Sequence, residues 1–224
     1  MSEFEMNSSL AEKITKLNEE GVHEEEIERF LDQHLIKYPD DVEAWVRLGV
    51  LVFEPPIGDF EKSVDCLRKA VEVKPDCLEA LLILMRMQYT AYAEIDEDVY
   101  KLLHHYQPRS REERSLIEFA KAWYFECKKM DEEYVRHLEK SITVYPKYVL
   151  NYIALGNYYE EKGQKEKAKS LFLKGMKNVR QIYRVNGGLD PLVFDYHEYI
   201  NEKIKGIHLS LSSVTYKLIK EGVN

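Results

Sequence analysis

Tyr152-Ile153-Ala154-Leu155-Gly156-Asn157-Tyr158-Tyr159, with Gly163, Ala168, Phe172 and Gly175 after it, is the stretch that decides the fold. Tyr152, Leu155, Gly156 and Tyr159 fall three, one and three residues apart, so they share one stripe of a helix. Gly163 supplies a turn residue that tolerates positive φ. Ala168, Phe172 and Gly175 then form a stripe on a second helix. Gly156 and Ala168 are small where two helix backbones must come close, and Phe172 is large where adjacent hairpins must be filled. The stretch predicts a helical hairpin.

A second copy lies more than a hundred residues earlier. Trp45, Leu48 and Gly49 stand on its first helix, and Ser63, Leu67, Ala70 and Pro75 mark its second. Between them, Glu54-Pro55-Pro56-Ile57-Gly58-Asp59 is a long turn that proline keeps out of helix. Prolines 39, 75, 108 and 146 are spaced 36, 33 and 38 residues apart. A period near 34 residues is that of stacked helix-turn-helix units, with proline ending one pair before the next begins. The copies from Leu78 and Ser115 are degenerate. Glu118 and Lys121 occupy expected apolar positions there, which suggests a rotated helix. Ser8 to Pro39 reads as an atypical first copy, with Ala11, Ile14, Ile27 and Leu31 on the stripe and Gly21 in the turn. Past Met176 the second helix continues through Tyr183. Asn186-Gly187-Gly188 ends it, and Asp190-Pro191 starts another. That helix carries Leu192, Tyr196, Tyr199 and Ile200 on one face. A last helix near Ser212–Lys220 carries Val214, Leu218 and Ile219. Both read as capping helices of a stack.

Composition agrees with a helical, packed chain. Of 224 residues, 45% are hydrophobic and 32% charged, enough for a core and against general disorder. Only 10 Gly and 7 Pro occur, which favours long helices over many short strands. The 16 tyrosines read mainly as packing residues between helices. A net charge of −8 argues against nucleic acid as a partner. Cys66, Cys77 and Cys127 are odd in number, lack metal-ligand spacing, and fit a reducing, cytoplasmic setting. Met1–Met6 is acidic without an apolar run, so no signal peptide is expected. The most apolar run, Leu78 to Met87, is too short to cross a bilayer, which takes about 20 residues.

These motifs resemble tetratricopeptide repeats. Tyr152 to Phe172 matches that pattern almost fully and Trp45 to Pro75 in part. The resemblance implies an all-α fold: an α-α superhelix of helical hairpins with C-terminal capping helices. It divides one domain, 1–224, into repeats over 8–41, 42–77, 78–114, 115–148 and 149–183, with caps over 190–222. It also implies a concave groove lined by the first helix of each pair. Its partner-binding positions are Val46, Val50, Phe53, Leu82, Arg86, Tyr89, Phe119, Trp123, Glu126, Asn157 and Glu160. Phe119 and Trp123 are the expected anchors, since buried aromatics dominate interfaces. Glu43, Glu79, Glu160 and Glu161 give an acidic rim that favours a basic partner.

The expected function is a non-catalytic scaffold or adaptor that binds a peptide or partner domain. A bacterial immunity or inhibitor protein that neutralises a cognate toxin is the alternative. Members of the family that clamp Hsp70 or Hsp90 carboxylate tails use Lys, Arg and Asn where this chain has Val46, Val50, Leu82, Leu150 and Ile153. Only Asn157 remains, so tail binding of that kind is not expected. No cofactor, metal or catalytic set is expected. There is no phosphate-binding glycine loop. His104 and His105 diverge on a helix, and Asp195 and His197 lack a third ligand. Glu24-Glu25-Glu26 reads as a dipole-favoured helix start. Neither nucleic acid nor membrane is an expected partner.

Overall fold

The computed structural model describes residues 10–53 and 56–185, and all regular structure among them is helical. The helices are α1 (Leu10–Glu19), α2 (Glu24–Lys37), α3 (Val42–Phe53), α4 (Phe60–Val73), α5 (Leu78–Tyr92), α6 (Glu97–His105), α7 (Arg111–Cys127), α8 (Asp131–Val144), α9 (Val149–Glu161) and α10 (Lys165–Val185). The caps expected over 190–222 lie outside the described residues. Two compact units divide after Met87, within α5.

The first unit is built around the α3/α4 hairpin. Its core joins Ile14 of α1 to Ile27, Leu31 and Leu35 of α2, Ala44, Leu48 and Val52 of α3, and Cys66 of α4. The 3.6-residue period places these side chains on one face of each helix. Gly49 lets α4 approach: a Cβ there would stand 2.9 Å from Leu67 Cγ and 3.0 Å from the Ser63 carbonyl oxygen. Ser63 Oγ uses the closeness to donate to the Gly49 carbonyl at 2.7 Å. Lys62 of α4 donates to Glu28 at 2.6 Å and Asp32 at 2.9 Å, tying α4 to α2. Asp59 caps α4 by accepting from Lys62 N at 2.9 Å.

In the second unit, α7 pairs with α8 and α9 with α10. Their turns match bond for bond. Lys128, Lys129 and Met130 donate their N–H groups to the carbonyls of Tyr124, Glu126 and Phe125; Lys162, Gly163 and Gln164 donate to Tyr158, Glu160 and Tyr159. Each member of the second set stands 34 residues after its counterpart. Register across the degenerate copy is therefore kept, and α7 is not rotated as Glu118 and Lys121 had suggested. The price of keeping it falls on Lys129, which takes φ +56° where Gly163 takes +74°.

The proline punctuation also has a bonding role. Trp45 Nε1 donates to the Pro39 carbonyl at 2.7 Å, and the Tyr152 hydroxyl donates to the Pro146 carbonyl at 2.7 Å. In both well-matched copies the opening aromatic thus closes onto the proline six residues before it.

Helix α7 begins at Arg111, four residues before the boundary read from the sequence. Ser110 Oγ accepts from Glu113 N at 3.1 Å, while the Glu113 carboxylate accepts from Arg109 N at 2.6 Å. The first bond is that of a capping box, the Glu113 carboxylate reaching one residue further back than the box requires, and its Ser-x-x-Glu signal was present at 110–113.

Two expectations follow. A Cβ on Gly156 would sit 2.5 Å from Phe172 Cε1, and Phe172 is only 2% exposed. Gly156→Leu should therefore cost roughly 1–3 kcal/mol or more through overpacking, read as a lower thermal midpoint. Lys129→Gly should stabilise by roughly 0.5–1 kcal/mol. Left-handed backbone costs other residues about 1–2 kcal/mol, and glycine's added chain entropy offsets part of the gain. A raised urea midpoint would register it.

Candidate protein-binding face

The first helices of the hairpins carry the candidate positions, and each unit presents its own set. In the first unit, Val46, Val50 and Leu82 are buried. Phe53 and Arg86 are half-buried. The Phe53 ring rests 5.0 Å from that of Phe60, whose side chain is partly exposed. Glu43 and Glu79 are exposed. The solvent-accessible members of this set are Phe53, Arg86 and the two carboxylates.

In the second unit the candidates form an aromatic ladder. The Tyr89 and Trp123 rings stack at 6.0 Å, Phe119 meets Trp123 edge-on at 5.1 Å, and Phe119 meets Tyr148 edge-on at 5.2 Å. Trp123 is 8% exposed and Phe119 6%. The expected anchors therefore sit as packing residues of this ladder, so Trp123→Ala would remove core packing worth about 3–5 kcal/mol as well as any contact. The Tyr89 hydroxyl donates to Glu126 Oε2 at 2.9 Å. Glu126 and Glu160 are exposed, and Asn157 is half-buried. Glu126 and Glu160 are one 34-residue repeat apart, so they hold the same place on successive first helices.

A buried charge cluster lies between α7 and α8. Glu118, 4% exposed, accepts from His137 Nδ1 at 2.7 Å and from Lys140 Nζ at 2.8 Å. Lys121 Nζ lies 3.9 Å away. Phe125 stacks on the His137 ring at 5.0 Å. Burial pushes the Glu118 carboxyl up. The two hydrogen bonds and the lysine charges outweigh that and hold it down at about 2. Burial lowers Lys121 more than Glu118 raises it. An ionised carboxylate hydrogen-bonded in this way ties α7 to α8.

Other reactive groups are quiet. Burial pushes the Cys66 thiol up to about 12, so it is no nucleophile at neutral pH. Among the described residues, only His23, Glu24 and Glu25 bring three ligand atoms within 4.8 Å of one another, all exposed at the start of α2. Acidic first-turn residues favour that helix start without a metal. No helix among the described residues is long and apolar enough to cross a membrane.

The tetratricopeptide repeat model matches residues 56–77 and 151–177. Both segments fall on the hairpins just described. These two segments are tetratricopeptide repeats. MamA from Desulfovibrio magneticus RS-1, residue 41 to the end, is similar in structure. It is 16% identical, covers 77% of this chain and 94% of its own, and gives a TM-score of 0.59. Two further MamA structures are 18% and 19% identical. The first covers 74% of this chain and 94% of its own with a TM-score of 0.57. The second covers 79% and 93% with 0.56. At such identities the likeness concerns the fold. No curated protein matches the chain.

The buried pair within the α7/α8 repeat sets a pH dependence. The folded Glu118 carboxyl lies below its ordinary 4.5. Its stabilisation is therefore present above that value and lost as pH falls from about 4.5 to about 2. Glu118→Gln should be less stable by about 3 kcal/mol near neutrality. The gap to the natural protein should close across that acid window in denaturant titrations followed by circular dichroism.

Proposed function

We propose that this chain is a non-catalytic interaction scaffold that binds a basic peptide or partner domain on the first-helix side of its repeats. The observation that carries this reading is the pair Glu126 and Glu160. They are exposed carboxylates at the same place in successive repeats, beside Tyr89 and Asn157. Stacked repeats present extended surfaces whose side chains recur at the repeat spacing, and a peptide lying across them meets each in turn. Recurring carboxylates select for Lys and Arg at matching intervals and speed the encounter. The acid–histidine pair most like catalytic machinery, Glu118–His137, is buried between α7 and α8, which favours binding over chemistry. A cytoplasmic setting suits the three free thiols, one buried and two half-buried.

The test begins with capture of partners from the native host and purification of the protein retained. Its affinity is then measured against the natural chain and against Glu126→Lys/Glu160→Lys. Charge reversal at both sites should weaken binding on the order of tenfold, and the difference should shrink as salt rises. Equal affinity for both chains would move the site elsewhere.

A further inference from the structure

A buried charge is stable only when it is paired and its hydrogen bonds are made. Lys121 of α7 meets half of that condition. Its side chain is 10% exposed, and its Nζ stands 3.9 Å from Glu118 Oε1. That is close enough for attraction and too long for a hydrogen bond. The same oxygen already accepts from Lys140 Nζ at 2.8 Å, and the other accepts from His137 Nδ1 at 2.7 Å. Among the described residues, no hydrogen bond reaches the three N–H donors of Lys121.

Positive charge here exceeds what one carboxylate balances. Lys121 and Lys140 both face Glu118 Oε1. Burial chiefly disfavours the Lys121 ammonium; Glu118 opposes this, and the Lys140 charge reinforces it. His104 of α6 faces the same group. The Lys121 charge is the first cause that depresses its imidazole, burial, His105 and His137 add to it, and Glu118 pulls the other way. Two nearby carboxylates are taken: Glu133 of α8 by Arg136, and Glu97 of α6 by Lys101 at 2.8 Å.

Water could accept from Lys121 but would not offset its charge. A tetrahedral oxyanion does both, since its oxygens accept from several donors at once and charge-assisted bonds are the stronger kind. Access is open, for the Lys140 side chain is 56% exposed and His104 lies at the surface. Lys121 is thus a fixed floor, with Lys140 and His104 as its rim. They come from three helices packed as α6 on α7 and α7 on α8.

We propose that Lys121, Lys140 and His104 form a site for a phosphate-type oxyanion on the second-helix side of the repeats. It lies apart from the first-helix side proposed for a basic partner, and neither reading rests on the other. The net charge of −8 belongs to the whole chain and does not describe this spot.

The test titrates the full chain with sodium phosphate against sodium chloride at constant ionic strength, following the His104 ring by nuclear magnetic resonance. Phosphate should move that signal saturably and raise the pH at which the ring titrates. Lys121→Met should remain folded by circular dichroism and weaken phosphate on the order of tenfold. Lys101→Met removes the same charge from α6 but from a lysine tied to Glu97, and should leave the affinity unchanged. Phosphoserine should compete for the site; whether it or inorganic phosphate binds more tightly separates a phosphorylated side chain from the free ion as the source. No saturable shift, an unchanged affinity in Lys121→Met, or an equal loss in Lys101→Met would overturn the proposal. If Lys121→Met fails to fold, His104→Ala at its exposed position decides. Phosphate should raise the thermal midpoint of the natural chain and do so less for that variant, and an equal rise in both would overturn the site.

Discussion

Two helices can lie side by side at close range only where no Cβ stands in the way, and Gly49 of α3 and Gly156 of α9 meet that demand in their two hairpins. At Gly49 the neighbour is the α4 backbone itself, close enough for Ser63 Oγ to bond the glycine carbonyl. At Gly156 the neighbour is the Phe172 ring. Both contacts set how far the second helix stands from the first. That spacing in turn decides which side chains of the first helix remain at the surface.

Where the pattern loses its small-residue and apolar signature, another interaction holds the pair together. Helix α7 has Ala122 one repeat before Gly156, and it has Glu118 one repeat before Tyr152. The hairpin tolerates a charge there because α8 returns His137 and Lys140 to it. Such an arrangement adds little net stability over apolar packing, because the carboxylate is taken out of water. Its removal from one side only is expensive. A buried pair of this kind constrains register: a slip of one residue along α8 would leave the carboxylate without donors.

The hairpins were legible because their determinants are local. Gly163, Ala168, Phe172 and the prolines lie within one repeat, and their spacing alone sets the helices and turns. The charge cluster was less so, since Glu118 and Lys121 make sense only with residues 19 and 22 positions away on the next helix. A signal did exist. An acid and a base three apart on α7 face a histidine and a lysine three apart on α8. The proposed binding face was half legible. Period 3.6 assigns Phe119 and Trp123 to the first-helix side, and the ladder from Tyr89 to Tyr148 lies there. Periodicity cannot say how deeply a side is covered, so residues read as anchors turned out to be packing. The exposed Glu126 and Glu160 needed only the 34-residue offset to be found.

The hydroxyls of Ser115 and Ser141 lie 2.7 Å apart, and Asn151 Nδ2 donates to Ser141 Oγ at 2.8 Å. This small chain of buried polar groups crosses from one hairpin to the next. Repeat arrays ordinarily fray from their ends, since each unit touches only its neighbours through interchangeable apolar surface. Here, peeling α9 away would also break the Asn151–Ser141 bond, worth about 0.5–1.5 kcal/mol. That bond couples the α7/α8 and α9/α10 hairpins more tightly than interchangeable apolar surface alone would.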